Sequence, residues 1–191
     1  MCREKAEEPE MADLITDLDI IKRLALEREK ENLRFRHYLK FKSKWSDRRL
    51  DELVRQLARE ISARIDCTQC ANCCRVMGPG VTPADIKRLA GQLAISPEQF
   101  ERRYVSPDES GEKWLHQLPC VFLQGKQCSV YDLRPEECRG FPHLHRKDFR
   151  ARTMQVIINA EDCPVVFNLL EKLKEFFWGA NRAAANILSG E

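Results

Sequence analysis

Four cysteines fall within eight consecutive positions, Cys67-Thr68-Gln69-Cys70-Ala71-Asn72-Cys73-Cys74, an arrangement that no ordinary packed core demands. Two residues between cysteines let a tight turn bring successive thiolates onto one centre, a spacing shared by zinc and iron–sulfur sites. A third cysteine at the same spacing, with Cys163-Pro164 as a remote fourth, follows the ferredoxin-type run and sets [4Fe–4S] ahead of zinc. Cys73 and Cys74 complicate the count, because adjacent side chains diverge in helix and strand alike. Either they serve two neighbouring centres, or one is a spare or redox thiol. Leaving aside Cys2, the candidate metal ligands are Cys67, Cys70, Cys73, Cys74, Cys120, Cys128, Cys138 and Cys163. Eight thiolates match two four-cysteine sites, and equally one such site plus functional thiols.

Four thiolates around a dication leave net negative charge, which Arg75 and Arg139, each directly after a cysteine, are placed to offset. His143 and His145 follow Cys138 closely enough to complete a zinc site, although such pairs are more often loop surface. His37 and His116 carry no signal. The charged start, Met1 to Glu8, lacks the apolar stretch of a signal peptide, and no apolar run is long enough to span a bilayer. A cytoplasmic location follows as the expectation, and in that reducing compartment metal ligation explains nine cysteines better than disulfides do.

The chain's 32 basic and 30 acidic residues nearly cancel, so overall charge argues for neither nucleic acid nor an anionic membrane as partner. There is no G-x-G-x-x-G and no Walker A loop. A length of 191 residues suits one domain, or one domain with an appended arm. The expected fold is mainly α with a small β-hairpin: an irregular cysteine-rich metal-binding domain preceded by a long charged helical arm. Its parts are a helical region over 1–65, a cysteine-cluster domain over 66–178 and a helical tail over 179–191. After a frayed acidic start to about Ala12, one helix is predicted from Asp13 to about Lys42, with Glu27 to Glu31 as a solvated face. A second begins at Ser46 or Asp47 and repeats Leu50, Leu53, Val54, Leu57, Ile61 and Ile65 at helical spacing. Thr82-Pro83-Ala84-Asp85 and Ser96-Pro97-Glu98-Gln99 read as capped helix starts. Ser106 to Gly111 reads as a loop, Cys120 to Tyr131 as a hairpin turning at Gly125, and Arg134 to Cys138 as a helical turn. Met154 to Ile158 is assigned to a strand. Asp162-Cys163-Pro164 opens a final helix with Val166, Leu169, Leu170, Leu173, Phe176 and Phe177 on its core side.

The block Cys67 to Cys74 with Arg75, then Cys120-Val121-Phe122-Leu123, Cys128-Ser129-Val130-Tyr131, Arg134-Pro135, Cys138-Arg139 and Phe141-Pro142, resembles the YkgJ-type CxxCxxCC cysteine-cluster family, a candidate zinc- or iron-chelating domain of bacteria. The likeness covers roughly Cys67 to Cys163, and the helices over 13–65 lie outside it. It implies metal binding by the eight cysteines. A flagellin lysine N-methylase carries a similar block, which brings methyl-transfer or radical chemistry into view. The usual family block has glycine after the second cysteine, where this chain has Ala71.

The leading reading is a metal-binding protein with an iron–sulfur cluster ([4Fe–4S]) or Zn. Cys67, Cys70, Cys73 and Cys163 would ligate a cluster. Cys74, Cys120, Cys128 and Cys138 would form a second centre or buttress the first, with Tyr131, Arg134 and Arg139 around them. The rivals are a metal-dependent redox or methyl-transfer enzyme, and a zinc-braced module that engages a partner protein through its N-terminal helices.

Overall fold

A computed structural model describes residues 14–188, with side chains described to residue 179. The acidic start and Cys2 lie outside the described residues. In chain order the helices are α1 (Leu18–Glu27), α2 (Glu29–Phe41), α3 (Asp47–Ser62), the single turns α4 (Cys67–Cys70) and α5 (Cys73–Val76), α6 (Pro83–Gln92) and α7 (Pro97–Tyr104). Two short strand pairs follow, β1 (Val105–Pro107) with β2 (Lys113–Leu115) and β3 (Leu123–Gln124) with β4 (Gln127–Cys128), both antiparallel. A 3₁₀ turn (Tyr131–Leu133), α8 (Glu136–Gly140), α9 (Phe149–Asn159) and α10 (Pro164–Leu188) complete the fold. The mainly helical expectation with a small hairpin is met.

Two apolar cores form, and the cysteine segments run between them. The first buries Ile21 and Ala25 of α1, Phe35 and Leu39 of α2, and Leu50, Val54 and Ile61 of α3 against Phe149 of α9 and Val166, Leu169, Leu170 and Leu173 of α10. Each fully buried aliphatic side chain stabilises by about 1.5–3 kcal/mol, so the N-terminal helices are bound to the C-terminal ones rather than left as a free arm. The second core gathers Ile86, Leu89, Phe100, Tyr104, Leu115, Phe122 and Val130. Both expected capping boxes are present: Thr82 Oγ1 accepts from the Asp85 N–H at 3.1 Å while Asp85 Oδ2 accepts from the Thr82 N–H at 3.0 Å, and Ser96 and Gln99 repeat the exchange.

Five local expectations are corrected. The helix predicted over 13–42 divides at Arg28 (φ −95°, ψ 8°). Arg28 Nη1 reaches Glu171 at 2.6 Å, and Lys174 Nζ lies 3.4 Å from Glu31, so part of the mixed-charge run is drawn onto α10 instead of being solvated. Residues 154–158 are helical, not a strand. Thr153, Val156, Ile157 and Ala160 are buried at helical spacing, and α9 packs on α2, α3 and α10, which overrides the β-branched preference. Ser106 and Pro107, expected in a loop, pair with Trp114 and Lys113. Asp108 closes that hairpin, accepting from the Ser110 and Glu112 N–H groups at 2.9 Å each and from Trp114 Nε1 at 3.0 Å. Phe176, expected inside, is 55% exposed with its ring edge-on to Trp45.

Candidate metal centre

The cysteine block is shaped by its neighbours. Asp66 caps α4, accepting from the Thr68 N–H at 2.8 Å and its hydroxyl at 2.6 Å, which starts a helical turn at Cys67. Ala71 ends that turn in the left-handed conformation (φ 50°, ψ 17°). A Cβ there costs about 1–2 kcal/mol, which explains physically why glycine suits this position. The reversal lets α5 begin again at Cys73.

Long-range hydrogen bonds then pin the block to the other cysteine segments. Asn72 Nδ2 donates to the Asp162 carbonyl at 2.9 Å, next to Cys163, and the Cys120 N–H donates to the Cys74 carbonyl at 2.8 Å. Arg75 donates to the carbonyls of Cys70 at 3.0 Å and Gly125 at 3.2 Å, fastening the block to the turn between β3 and β4. Gly125 occupies φ +63°, which that turn requires. Arg88, ion-paired with Asp85, donates to the carbonyls of Leu133 at 3.1 Å and Arg134 at 3.0 Å. That contact sets the approach to buried Pro135 and to Cys138 on α8.

All eight described cysteines are free thiols. Their mutual influence sorts them into two sets. Burial raises Cys120, Cys128 and Cys138, the last to about 12, and each rise is reinforced by other members of the set Cys74, Cys120, Cys128 and Cys138. Burial likewise raises Cys67 and lifts Cys163 to about 12, against the pull of the Val165 and Val166 N–H groups at the start of α10. Cys67 feels Cys70, and Cys163 feels both. Cys73 joins the sets: its thiol hydrogen-bonds Cys74 and it lies in the field of Cys163 and Cys138. That bond drives Cys73 up and holds Cys74 down at about 6, helped by Arg134 and Arg75.

Arg134 is the cation common to both sets, lowering Cys67, Cys74, Cys128 and Cys138 alike. Its guanidinium lies 3.4 Å over the Tyr131 ring, and its Nε is buried without a hydrogen-bond partner. Arg139 is exposed, so of the two arginines expected to balance thiolate charge only Arg75 does so. His143 turns to Glu137, its Nε2 2.6 Å from Oε1, and burial keeps the ring's proton affinity low. His145 is exposed, the His37 ring lies tilted beside Phe41, and His116 shares a 3.3 Å contact with Ser106 Oγ. Asp66, Asn72 and Arg88 were not singled out from the sequence. Of these, only Asp66 carried a readable sign, an N-cap residue directly before Cys67.

Among the described residues, no three His, Cys, Asp or Glu side chains converge closely enough to grip one ion directly. The donor set nonetheless fits a thiolate-bound metal. Its sulfurs are free and mutually repelling as anions, and an unpaired arginine donor lies among them. Direct ligation requires the sulfurs to draw together.

Such a seam of free thiols between two small cores defines a cysteine-rich metal-chelating class of domain. The chain belongs to the CxxCxxCC family, described as a candidate zinc- or iron-chelating domain, whose model matches residues 66–164. An uncharacterised protein of Methanocaldococcus jannaschii is 33% identical over 81 residues, covering 40% of this chain and 43% of that protein. The chain thus spans less than half the length of that relative. No solved structure matches. Among the described residues, no helix is long and apolar enough to cross a membrane.

Proposed function

We propose that the chain holds two thiolate-bound metal centres side by side, a [4Fe–4S] cluster on Cys67, Cys70, Cys73 and Cys163, and a second centre on Cys74, Cys120, Cys128 and Cys138. The observation that carries this reading is the sorting of eight thiols into two sets that meet at the adjacent pair Cys73–Cys74. The Cys73 thiol meets Cys74 and lies in the field of both Cys163 and Cys138, which supports a junction of two neighbouring centres at this pair. The spacing Cys67-x₂-Cys70-x₂-Cys73 with Cys163-Pro164 favours iron–sulfur in the first set.

A bound cluster supplies one-electron transfer, whereas zinc supplies a brace. The chain's own residues do the rest. Arg134 and Arg75 offset thiolate charge, the first N–H groups of α10 point at Cys163, and Asn72 keeps the block against the root of α10. Eight free thiols suit a reducing compartment such as the cytoplasm.

Anaerobic purification with metal and sulfide analysis tests the reading. Iron with acid-labile sulfide and a broad brown absorbance supports the cluster, and stoichiometric zinc in a colourless sample replaces it with a structural site. Cys70→Ser should lose one centre and keep the other. Unchanged metal content in that variant would overturn the assignment.

A further inference from the structure

The near-zero net charge conceals a sharp local imbalance. Between Arg34 and Arg49 there are seven Lys or Arg and one Asp, a net +6 over 16 residues, which leaves −4 for the remaining 175. These residues run from the middle of α2 through its end, the connection at Lys42 and Lys44, and the first turn of α3, a corner to which Arg34 and Arg36, two apart on the helix, present different faces. The one acid, Asp47, is taken by Arg150 at 2.6 Å. Among the described residues, no ion pair involves Arg34, Arg36, Lys40, Lys42, Lys44, Arg48 or Arg49. Arg36 Nε is buried and has no hydrogen-bond partner. Arg48 and Arg49 stand in the first turn of α3, where the helix dipole disfavours cations.

Aromatic rings are interleaved with this charge. Phe41 is 69% exposed, with the His37 ring 4.9 Å away, and the Arg49 guanidinium lies 3.9 Å over Trp45. Phe41 also borders a surface depression of about 330 Å³ lined by Lys40, Asp47, Asp148, Arg150 and Ala151. We infer that this corner is a binding surface for a single-stranded nucleic acid, with the unpaired cations on phosphates and Phe41 stacking on a base. Charge complementarity selects a polyanion. The one large apolar side chain exposed between Arg34 and Arg49 is the Phe41 ring, not an aliphatic face, which suits base stacking better than insertion into a bilayer. The inference goes beyond the metal centres, and its residues lie outside both thiol sets.

The test uses the full chain and a fluorescein-labelled oligouridylate read by anisotropy. If about five phosphates are engaged, affinity falls on the order of 100-fold as salt rises fourfold. The double variant Lys42→Gln/Lys44→Gln should reduce that loss to about 20-fold, two counter-ions fewer being released. Phe41→Ala should weaken binding about tenfold without altering the salt slope. These positions are exposed, so circular dichroism and metal content should be unchanged. No binding at low salt, or binding that neither variant moves, overturns the inference. So does equal affinity for phosphatidylserine vesicles or polyglutamate, which would mark the corner as a general cation patch.

Discussion

Loading the thiol set Cys74, Cys120, Cys128 and Cys138 with zinc should expel three protons at neutral pH, not four. Cys74 is held at about 6, because the Cys73 thiol donates to it and Arg134 and Arg75 stand nearby, so it is a thiolate at neutral pH. Cys120, Cys128 and Cys138 are raised by burial, the last to about 12, and keep their protons until metal displaces them. Each displaced proton makes affinity change tenfold per pH unit, about 1.4 kcal/mol. Three protons therefore weaken zinc binding roughly 1000-fold, or ~4 kcal/mol, for each unit of acidification, steepening towards four protons below about pH 6. The metal-free fold follows the same sign. Stability contributed by the lowered Cys74 value is full above the ordinary thiol value of 9.0 and is lost as pH falls through about 6. The assay is a zinc titration against a competing chelator in a Cys67→Ser/Cys70→Ser background, repeated between about pH 6.5 and 8 where Cys74 is ionised. A slope of four across that window would show Cys74 protonated and refute the shared-proton geometry. A slope of two or less would remove a cysteine from the set.

Arg134→Met should raise the Cys74 value and weaken metal loading by about 1–2 kcal/mol, on the Coulomb scale for a partly screened charge near thiolates; alkylation rate against pH reads the first and metal competition the second. An unchanged alkylation profile would show that Arg134 acts only through Tyr131. Lys174→Ala should destabilise the helical core by about 3 kcal/mol, the low end for breaking a buried pair, because Glu171 keeps Arg28 while Asn32 Oδ1 loses its 2.8 Å donor. Urea unfolding followed by circular dichroism measures it, and a midpoint close to wild type would show that the lysine is dispensable.

What could be read in advance was local. Thr82 to Asp85 and Ser96 to Gln99 announce their own helix starts because cap donor and acceptor lie three residues apart. The stripe of α3 and the glycine turn of the hairpin are legible for the same reason. The break at Arg28 was not, since its ion-pair partner Glu171 lies 143 residues away. The helix over Phe149–Asn159 was hidden by a run of β-branched residues whose burial is decided by α2 and α3. At the site, eight cysteines were countable. That the counter-charge comes from Arg134, lodged over Tyr131, rather than from Arg139 beside Cys138 needed the turn at buried Pro135 to be folded.

Cys163 stands one residue ahead of α10 and is itself part of the helical core. Eleven residues on, or about 16 Å at the rise of an α-helix, buried Lys174 of the same helix is bonded to Asn32 and Glu171. A rigid rod therefore joins the root of Cys163, a ligand in the proposed centre, to the N-terminal helices. Drawing Cys163 inward on loading would tug that rod along its axis, and the strain would be felt first where α2 leans on it. The occupancy of the seam would then be written into the posture of helices that touch no metal.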